Sequence, residues 1–205
     1  MTTAGPVTTA GIVLAGGAST RFGADKLSVP LHGRPLLHHA LEAVARVGDP
    51  LVLVVGPNAV APVLPDGLGV RVQLVRDRQA HDGPLAGVAG ALAALPPGVD
   101  RVIVVAGDMP FLVPAVLASL LDALGRDGQV QAARLEADPV SPLPFAALPA
   151  VREVADHQLA AGRRSLRALL DAVATAVVPA SSWRAIDPEG RTLRDIDAPE
   201  DLARS

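Results

Sequence analysis

Three stretches of this chain hold residues whose types and spacing could do chemistry. The first is Leu14-Ala-Gly-Gly-Ala-Ser-Thr-Arg-Phe-Gly-Ala-Asp-Lys26, entered from the apolar run Gly11-Ile-Val-Leu-Ala15. Adjacent Gly16 and Gly17 let backbone N–H groups approach phosphate oxygens with no Cβ in the way. Arg21 can fork onto phosphate oxygens, and Lys26 supplies a mobile point charge. The stretch reads as a grip on a nucleoside triphosphate; the plainer alternative is a strand-to-helix turn with surface cations. It is not the G-x-x-x-x-G-K-[ST] phosphate loop, because Leu27 follows the lysine. Nor is it a dinucleotide fingerprint, since its two glycines are adjacent rather than alternating.

The second stretch is Gly107-Asp-Met-Pro-Phe111, placed after the apolar run Arg101 to Ala106. A carboxylate at Asp108 can hold Mg²⁺ against phosphates, since that ion favours one or two carboxylates plus phosphate oxygens. Otherwise Asp108 simply opens a turn before Pro110. The third is Asp195-Ile-Asp-Ala-Pro-Glu-Asp201. Asp197 precedes Glu200 by three residues, the pattern of a helix N-cap with a capping-box acid. The same carboxylate could instead be a second metal ligand, with Asp195 as the fallback. Asp77, in the polar loop 76–84, could accept from a base or a ribose, or be a solvated loop residue. Asp82-Gly-Pro84 reads as turn and helix-start chemistry. Arg163, Arg164 and Arg167 are either a solvated helix start or a clamp for an anionic acceptor. The five histidines, His32, His38, His39, His81 and His157, show no metal-ligand spacing and default to surface or packing roles.

These residues need a scaffold that gathers them. Strands are expected at Ile12–Ala15, Leu51–Val55, Val70–Val75, Arg101–Ala106 and Gln129–Leu135. Helices are expected at 35–47, Leu85–Leu95 and 113–124. This alternation predicts an α/β, three-layer fold with a mostly parallel sheet. Leu51 to Val55 has the uninterrupted apolar pattern of a strand buried on both faces. Loops 14–26, 76–84 and 106–111 then meet at the carboxyl ends of the strands, where open parallel sheets bind ligands. Gly16, Gly17, Arg21, Lys26, Asp77 and Asp108 share one rim. The last third is less regular. Leu143–Leu148 is expected as a proline-broken strand, antiparallel or at an edge. Helices follow at 149–161 and 165–174, a short strand at Ala176–Pro179, and a helix from Asp197. Residues 1–10 are expected to be disordered. The reading is one domain over 1–205, with 135–205 as an acceptor-side subregion.

Composition narrows the function classes. Net charge is −3, from 18 basic and 21 acidic residues, and aromatics are only 2%, which argues against a nucleic-acid partner. Cysteine is absent, so disulfides and thiolate metal sites are excluded. The N-terminus lacks a basic n-region and a long apolar h-region, and the apolar runs are too short to span a bilayer. The expectation is a cytoplasmic protein without a membrane partner.

The motif Leu14-Ala-Gly-Gly-x-Ser-x-Arg-x-Gly-x-x-Lys26 resembles the signature of Rossmann-like nucleotidyltransferases, and most closely the molybdenum cofactor guanylyltransferases. Gly83-Pro-Leu-Ala-Gly87, Gly107-Asp-Met-Pro110, Gly162-Arg-Arg-Ser-Leu-Arg167 and Asp195 to Asp201 follow in the family's order and span nearly the whole chain. The resemblance implies Mg²⁺-dependent transfer of GMP from GTP to the phosphate of molybdopterin, releasing pyrophosphate. It places Leu14, Ala15, Gly16, Gly17, Gly56 and Asp77 on the nucleotide, Lys26 on its phosphates, and Mg²⁺ on Asp108. Arg21, Lys26 and Asp108 would carry the reaction. The double glycine matches the GTP-using branch, whereas related cytidylyltransferases look more like Leu-Ala-Ala-Gly. Three features depart from the pattern. Phe22 stands where methionine is usual, aspartates at 195 and 197 replace frequent asparagines, and residues 137–149 resemble the acceptor-side segment only loosely. The rival expectations are a nucleotidyltransferase using CTP or another phosphorylated acceptor, and a nucleotide-binding relative without turnover.

Overall fold

The computed structural model describes residues 7–16, 26–77, 82–125 and 129–202. The chain enters on β1 (Thr9–Ala15), then makes the hairpin β2 (Pro30–Leu31) and β3 (Arg34–Pro35), followed by α1 (Leu36–Val44). Next come β4 (Leu51–Val55), β5 (Val72–Arg76), α2 (Pro84–Ala94), β6 (Arg101–Ala106) and α3 (Pro114–Asp122). The last third holds β7 (Ala132–Leu135), β8 (Phe145–Ala147), α4 (Val151–Ala160), α5 (Leu166–Leu170), β9 (Thr175–Val178), α6 (Ala180–Trp183) and α7 (Pro199–Leu202).

The main sheet has seven strands in the order β5-β4-β1-β6-β8-β7-β9. All neighbouring pairs are parallel except the two that β8 makes with β6 and β7. Period-2 alternation sorts strand side chains onto two faces. Val13, Leu53, Val105 and Ala133 pack with α1, α3 and Trp183 on one face. Ile12, Val54, Val104 and Phe145 pack with α2, α4 and α5 on the other. This is the expected three-layer α/β/α arrangement, and every residue of β4 is buried because helices cover both sides.

Several boundaries differ from the sequence reading, each for a local reason. Thr9 and Ala10 are not disordered: they extend β1 beside Arg101 and Val102, and Ala10 is fully buried. β5 starts later, at Val72, because Gly69–Arg71 forms a 3₁₀ turn. Pro35 ends β3 and stands before α1 rather than inside it. The hairpin turns at His32 and Gly33, both with positive φ, the backbone pattern of a tight two-residue turn. The helix expected at 165–174 stops at Leu170, since the chain must leave it to reach β9, where the Ala174 carbonyl accepts from Gln131. β8 is antiparallel as expected but lies inside the sheet, not at an edge. Its three ladder residues contain no proline, with Pro144 and Pro149 falling outside them.

After β9 the chain forms a strap that crosses back to the carboxyl end of the sheet. Trp183, fully buried, donates through Nε1 to the Glu136 carbonyl (2.9 Å), and Glu136 Oε2 accepts from Ala180 N (2.7 Å). Buried Asp187 accepts from Thr192 N through Oδ2 at 2.7 Å, and the Thr192 hydroxyl accepts from Val113 N at 3.2 Å. Burial by itself would push the Asp187 carboxyl up. Backbone donation from Thr192 and Arg191, the Thr192 hydroxyl and the Arg191 charge outweigh it and hold the carboxyl below its ordinary value. A lowered native pKa contributes stability that is fully present above the unfolded-chain value, about 3.9, and is lost as pH falls through the native value. Asp187→Ala is expected to cost about 2–3 kcal/mol at pH 7, the scale of a buried hydrogen bond to a charged group. Urea unfolding should show the gap to wild type constant from pH 7 to about pH 5 and narrowing below about pH 4.

Candidate functional site

Because β1, β4, β5 and β6 run parallel, their carboxyl ends deliver Gly16, Gly56, Asp77 and Gly107-Asp108 to a single rim. Asp77 N donates to the Val55 carbonyl (2.9 Å) and Gly107 N to that of Leu14 (2.8 Å), so each loop leaves its strand tied to the neighbouring one. A Cβ added to Gly16 would lie 3.1 Å from Asp77 Oδ2 and 3.7 Å from Gly56 N. One added to Gly87, on α2, would lie 3.3 Å from Asp77 Oδ1 and 3.5 Å from Leu14 Cδ2. Leu14, Gly16, Gly56, Asp77 and Gly87 thus form one wall. The missing side chains of Gly16 and Gly87 make room for Asp77, and Gly56, with nothing within 4 Å of where a Cβ would lie, leaves its backbone open to a ligand. Ala15 is half-buried beside this wall. Burial first, and the charge of Asp82 second, push the Asp77 carboxyl above its ordinary value.

Beside this wall sits a charge cluster assembled from three distant parts of the chain. Lys26, which opens a 3₁₀ turn over Lys26–Ser28, is buried, with only 7% of its surface exposed. Its Nζ donates to Asp108 Oδ2 at 2.9 Å and to Asp197 Oδ1 at 2.8 Å. Desolvation alone would lower the lysine pKa. The hydrogen bonds and charges of the two aspartates outweigh it and raise the value, so Lys26 stays protonated. Asp197 reaches Lys26 because the strap is pinned just before it: Ile196 N donates to the Asp108 carbonyl (3.0 Å), and the Ile196 side chain is buried with Leu31 and Leu36. Asp195 is more than a third exposed. Its carboxyl is still raised, by the protein atoms crowding it and then by Asp197 and Asp108.

The two readings of Asp197 separate here. Asp197 does not cap α7; Asp201 does, its Oδ2 accepting from Asp197 N at 3.0 Å and Ala198 N at 2.9 Å. The box acid expected at Glu200 is therefore supplied one residue later. Asp197 is left to face a cation, which in this structure is the Lys26 ammonium.

The donor chemistry fits Mg²⁺ held jointly with a phosphate-bearing ligand. Asp108 and Asp197 aim hard oxygens at one shared positive charge, and Lys26 bonds one oxygen of each. The Asp197 side chain is 58% exposed, which opens the pair to solvent and to an incoming ligand. Among the described residues no group of three or more His, Cys, Asp or Glu side chains is placed to hold a metal ion. One or two carboxylates are the usual protein share in holding Mg²⁺, the rest of its shell being water and phosphate oxygens.

Other sequence candidates fall elsewhere. Gly17, Arg21 and His81 lie outside the described residues. His38 Nε2 shares a hydrogen bond with the Val63 carbonyl and His39 Nε2 with that of Leu31, so both have packing roles. The arginine cluster is divided. Arg163 Nε bonds Gln158, Arg164 pairs with Asp82, and Arg167 reaches the Val140 carbonyl at 3.5 Å. Sequence reasoning gave no role to Gly87 or to the Asp187–Thr192 tie. The glycine pair at 83 and 87 marked the first, whereas nothing local marked the second.

Comparison with known proteins agrees with this geometry. A family profile described as the MobA-like NTP transferase domain matches residues 11–177. A protein of Chloroflexus aggregans named "Probable molybdenum cofactor guanylyltransferase" is 31% identical over 94% of this chain and 90% of its own. One of the same name from Thermococcus gammatolerans is 31% identical over 95% of this chain and 97% of its own. The crystal structure of molybdopterin-guanine dinucleotide biosynthesis protein A from Archaeoglobus fulgidus superposes with a TM-score of 0.74 at 25% identity, covering 95% of each chain. With the profile spanning most of the sequence and both named relatives aligned from end to end, the chain belongs to the MobA-like NTP transferase family and is a nucleotidyltransferase.

Proposed function

We propose that this chain transfers GMP from GTP to the phosphate of a molybdopterin-type acceptor and releases pyrophosphate. The observation that carries the reading is the Lys26–Asp108–Asp197 cluster standing beside the Gly16–Asp77 wall on one rim of a parallel sheet. The names of the relatives supply the acceptor and the guanine base.

In this reading an oxygen of the acceptor phosphate attacks the α-phosphorus. The bond from that phosphorus to the bridging oxygen breaks, and pyrophosphate leaves with the electron pair. No protein nucleophile is needed. Both reactants are anions, so the protein's task is to neutralise and align. Leu14, Ala15, Gly16, Gly56 and Asp77 would line the base and ribose, with Asp77 accepting from their N–H or O–H groups, while the backbone of the Gly16-Gly17 pair would approach the phosphates. Lys26 turns from its carboxylates toward the phosphates, and Arg21 adds a forked pair of donors. Asp108, with Asp197, would hold Mg²⁺, whose chemistry here is to offset the charge gathering on the phosphate oxygens.

A panel of GTP, CTP, ATP and UTP, with and without molybdopterin and Mg²⁺ and read by pyrophosphate release, should show turnover only with GTP, acceptor and Mg²⁺ together. Faster release from CTP would move the chain to a different nucleotidyltransferase class. Lys26→Ala and Asp108→Ala should each lower kcat by about 10²-fold or more, the scale for removing one electrostatic stabiliser. Full Mg²⁺-dependent turnover by purified Asp108→Ala would sink its assignment.

A further inference from the structure

The arginine cluster of residues 163–167 lies in the part of the chain read as acceptor-side, yet Arg164 turns the other way. Its carbonyl accepts from Leu85 N (3.2 Å), in the first turn of α2. Gly83, the residue before α2, has φ 80°, and a Cβ there would lie 2.8 Å from the Arg164 carbonyl oxygen and 2.9 Å from Arg164 Cβ. The Arg164 guanidinium is paired with the Asp82 carboxylate. Backbone, Cβ and charged head therefore meet Leu85, Gly83 and Asp82 in turn, at and just before the start of α2. One turn further along that helix, Gly87 abuts Asp77, the carboxylate that faces Gly16.

We propose that Arg164 is a positioning residue of the nucleotide pocket: it seats the start of α2 and neutralises Asp82, so that Gly87 and Asp77 keep the wall that receives the nucleotide. The other two arginines are held by Gln158 and by the Val140 carbonyl, so within the cluster this link belongs to Arg164. Without it, the Asp82 charge would stand unpaired near Asp77, whose carboxyl already responds to it. The link also runs between segments 82 residues apart, joining the chain after α4 to the chain before α2. This inference rests on the nucleotide-binding reading of the wall.

The test is GTP affinity measured by calorimetry without acceptor. Arg164→Ala should raise the Kd about threefold to fivefold, the scale of one partly exposed ion pair. Arg164→Lys, which keeps a positive charge, should recover part of that loss. The decisive variant is Arg164→Ala combined with Asp82→Asn: removing the stranded charge should return the Kd most of the way to wild type, which a purely mechanical role of Arg164 would not allow. Loss that persists in the double variant overturns the proposal, as does an Arg164→Ala protein with wild-type GTP affinity and a raised KM for acceptor alone. Wild-type protein with no affinity for any nucleotide would remove the nucleotide reading and this inference together. Normal wild-type affinity with failed rescue removes only the role given to Arg164.

Discussion

The organisation of this molecule turns on one buried ammonium. Lys26 has almost no contact with solvent, and a buried charge is tolerated only when it is paired and hydrogen-bonded. Its partners come from the end of β6 and from the far end of the chain, separated from it by 82 and 171 residues. Satisfying that single group therefore requires the sheet, the turn at Lys26–Ser28 and the C-terminal strap to be in place together. The strap is secured accordingly: Trp183 locks its start to Glu136, the Asp187–Thr192 tie fastens its middle to Val113, and Ile196 seals its end on Asp108.

The same pairing bears on how a site proposed to take polyanions could stand before one arrives. In the resting protein the lysine is paired with two carboxylates, so its buried ammonium is not isolated. A triphosphate with its cation offers a new partner to both signs at once. On the proposed reading the lysine would move to phosphate while the carboxylates would keep a cation, so little charge would have to be uncovered in the exchange. On the neighbouring wall Asp77 meets glycine backbone rather than a cation, and burial first and the Asp82 charge second hold its carboxyl above the ordinary value.

The central part of this design was legible in the sequence, for physical reasons. β4 and β6 are runs of aliphatic residues because helices cover both of their faces, and that leaves no other pattern to misread. The rim followed from parallel topology alone, since loops after parallel strands must emerge on one side. What stayed hidden depends on partners far away in sequence. Thr9 and Ala10 look like a polar terminus until β6 lies beside them. Asp197 has the local spacing of a cap, but its carboxylate is bonded to Lys26, and Asp201 accepts from the Asp197 and Ala198 N–H groups at the start of α7. Prolines around residues 143–149 suggested an edge, yet they only flank three clean ladder residues. Arg164 looked like a free cation because its partner lies 82 residues earlier.

The interior position of β8 has a consequence for how the chain assembles. β8 is only three residues long and follows β7 in the chain, yet it separates β7 from β6. The four strands β5, β4, β1 and β6 are all complete by residue 106 and can pair as the chain emerges. β7, by contrast, has no neighbour on the central side until residues 145–147 have been made and inserted. Among the described residues β9 pairs only with β7, so the β7–β9 pair joins the central strands through β8. The nucleotide half of the sheet can therefore form as a unit during synthesis, while the remainder closes onto it through a seam three residues wide. The strap that brings Asp197 to Lys26 comes after that seam, so the charge cluster is among the last parts of the molecule to be completed.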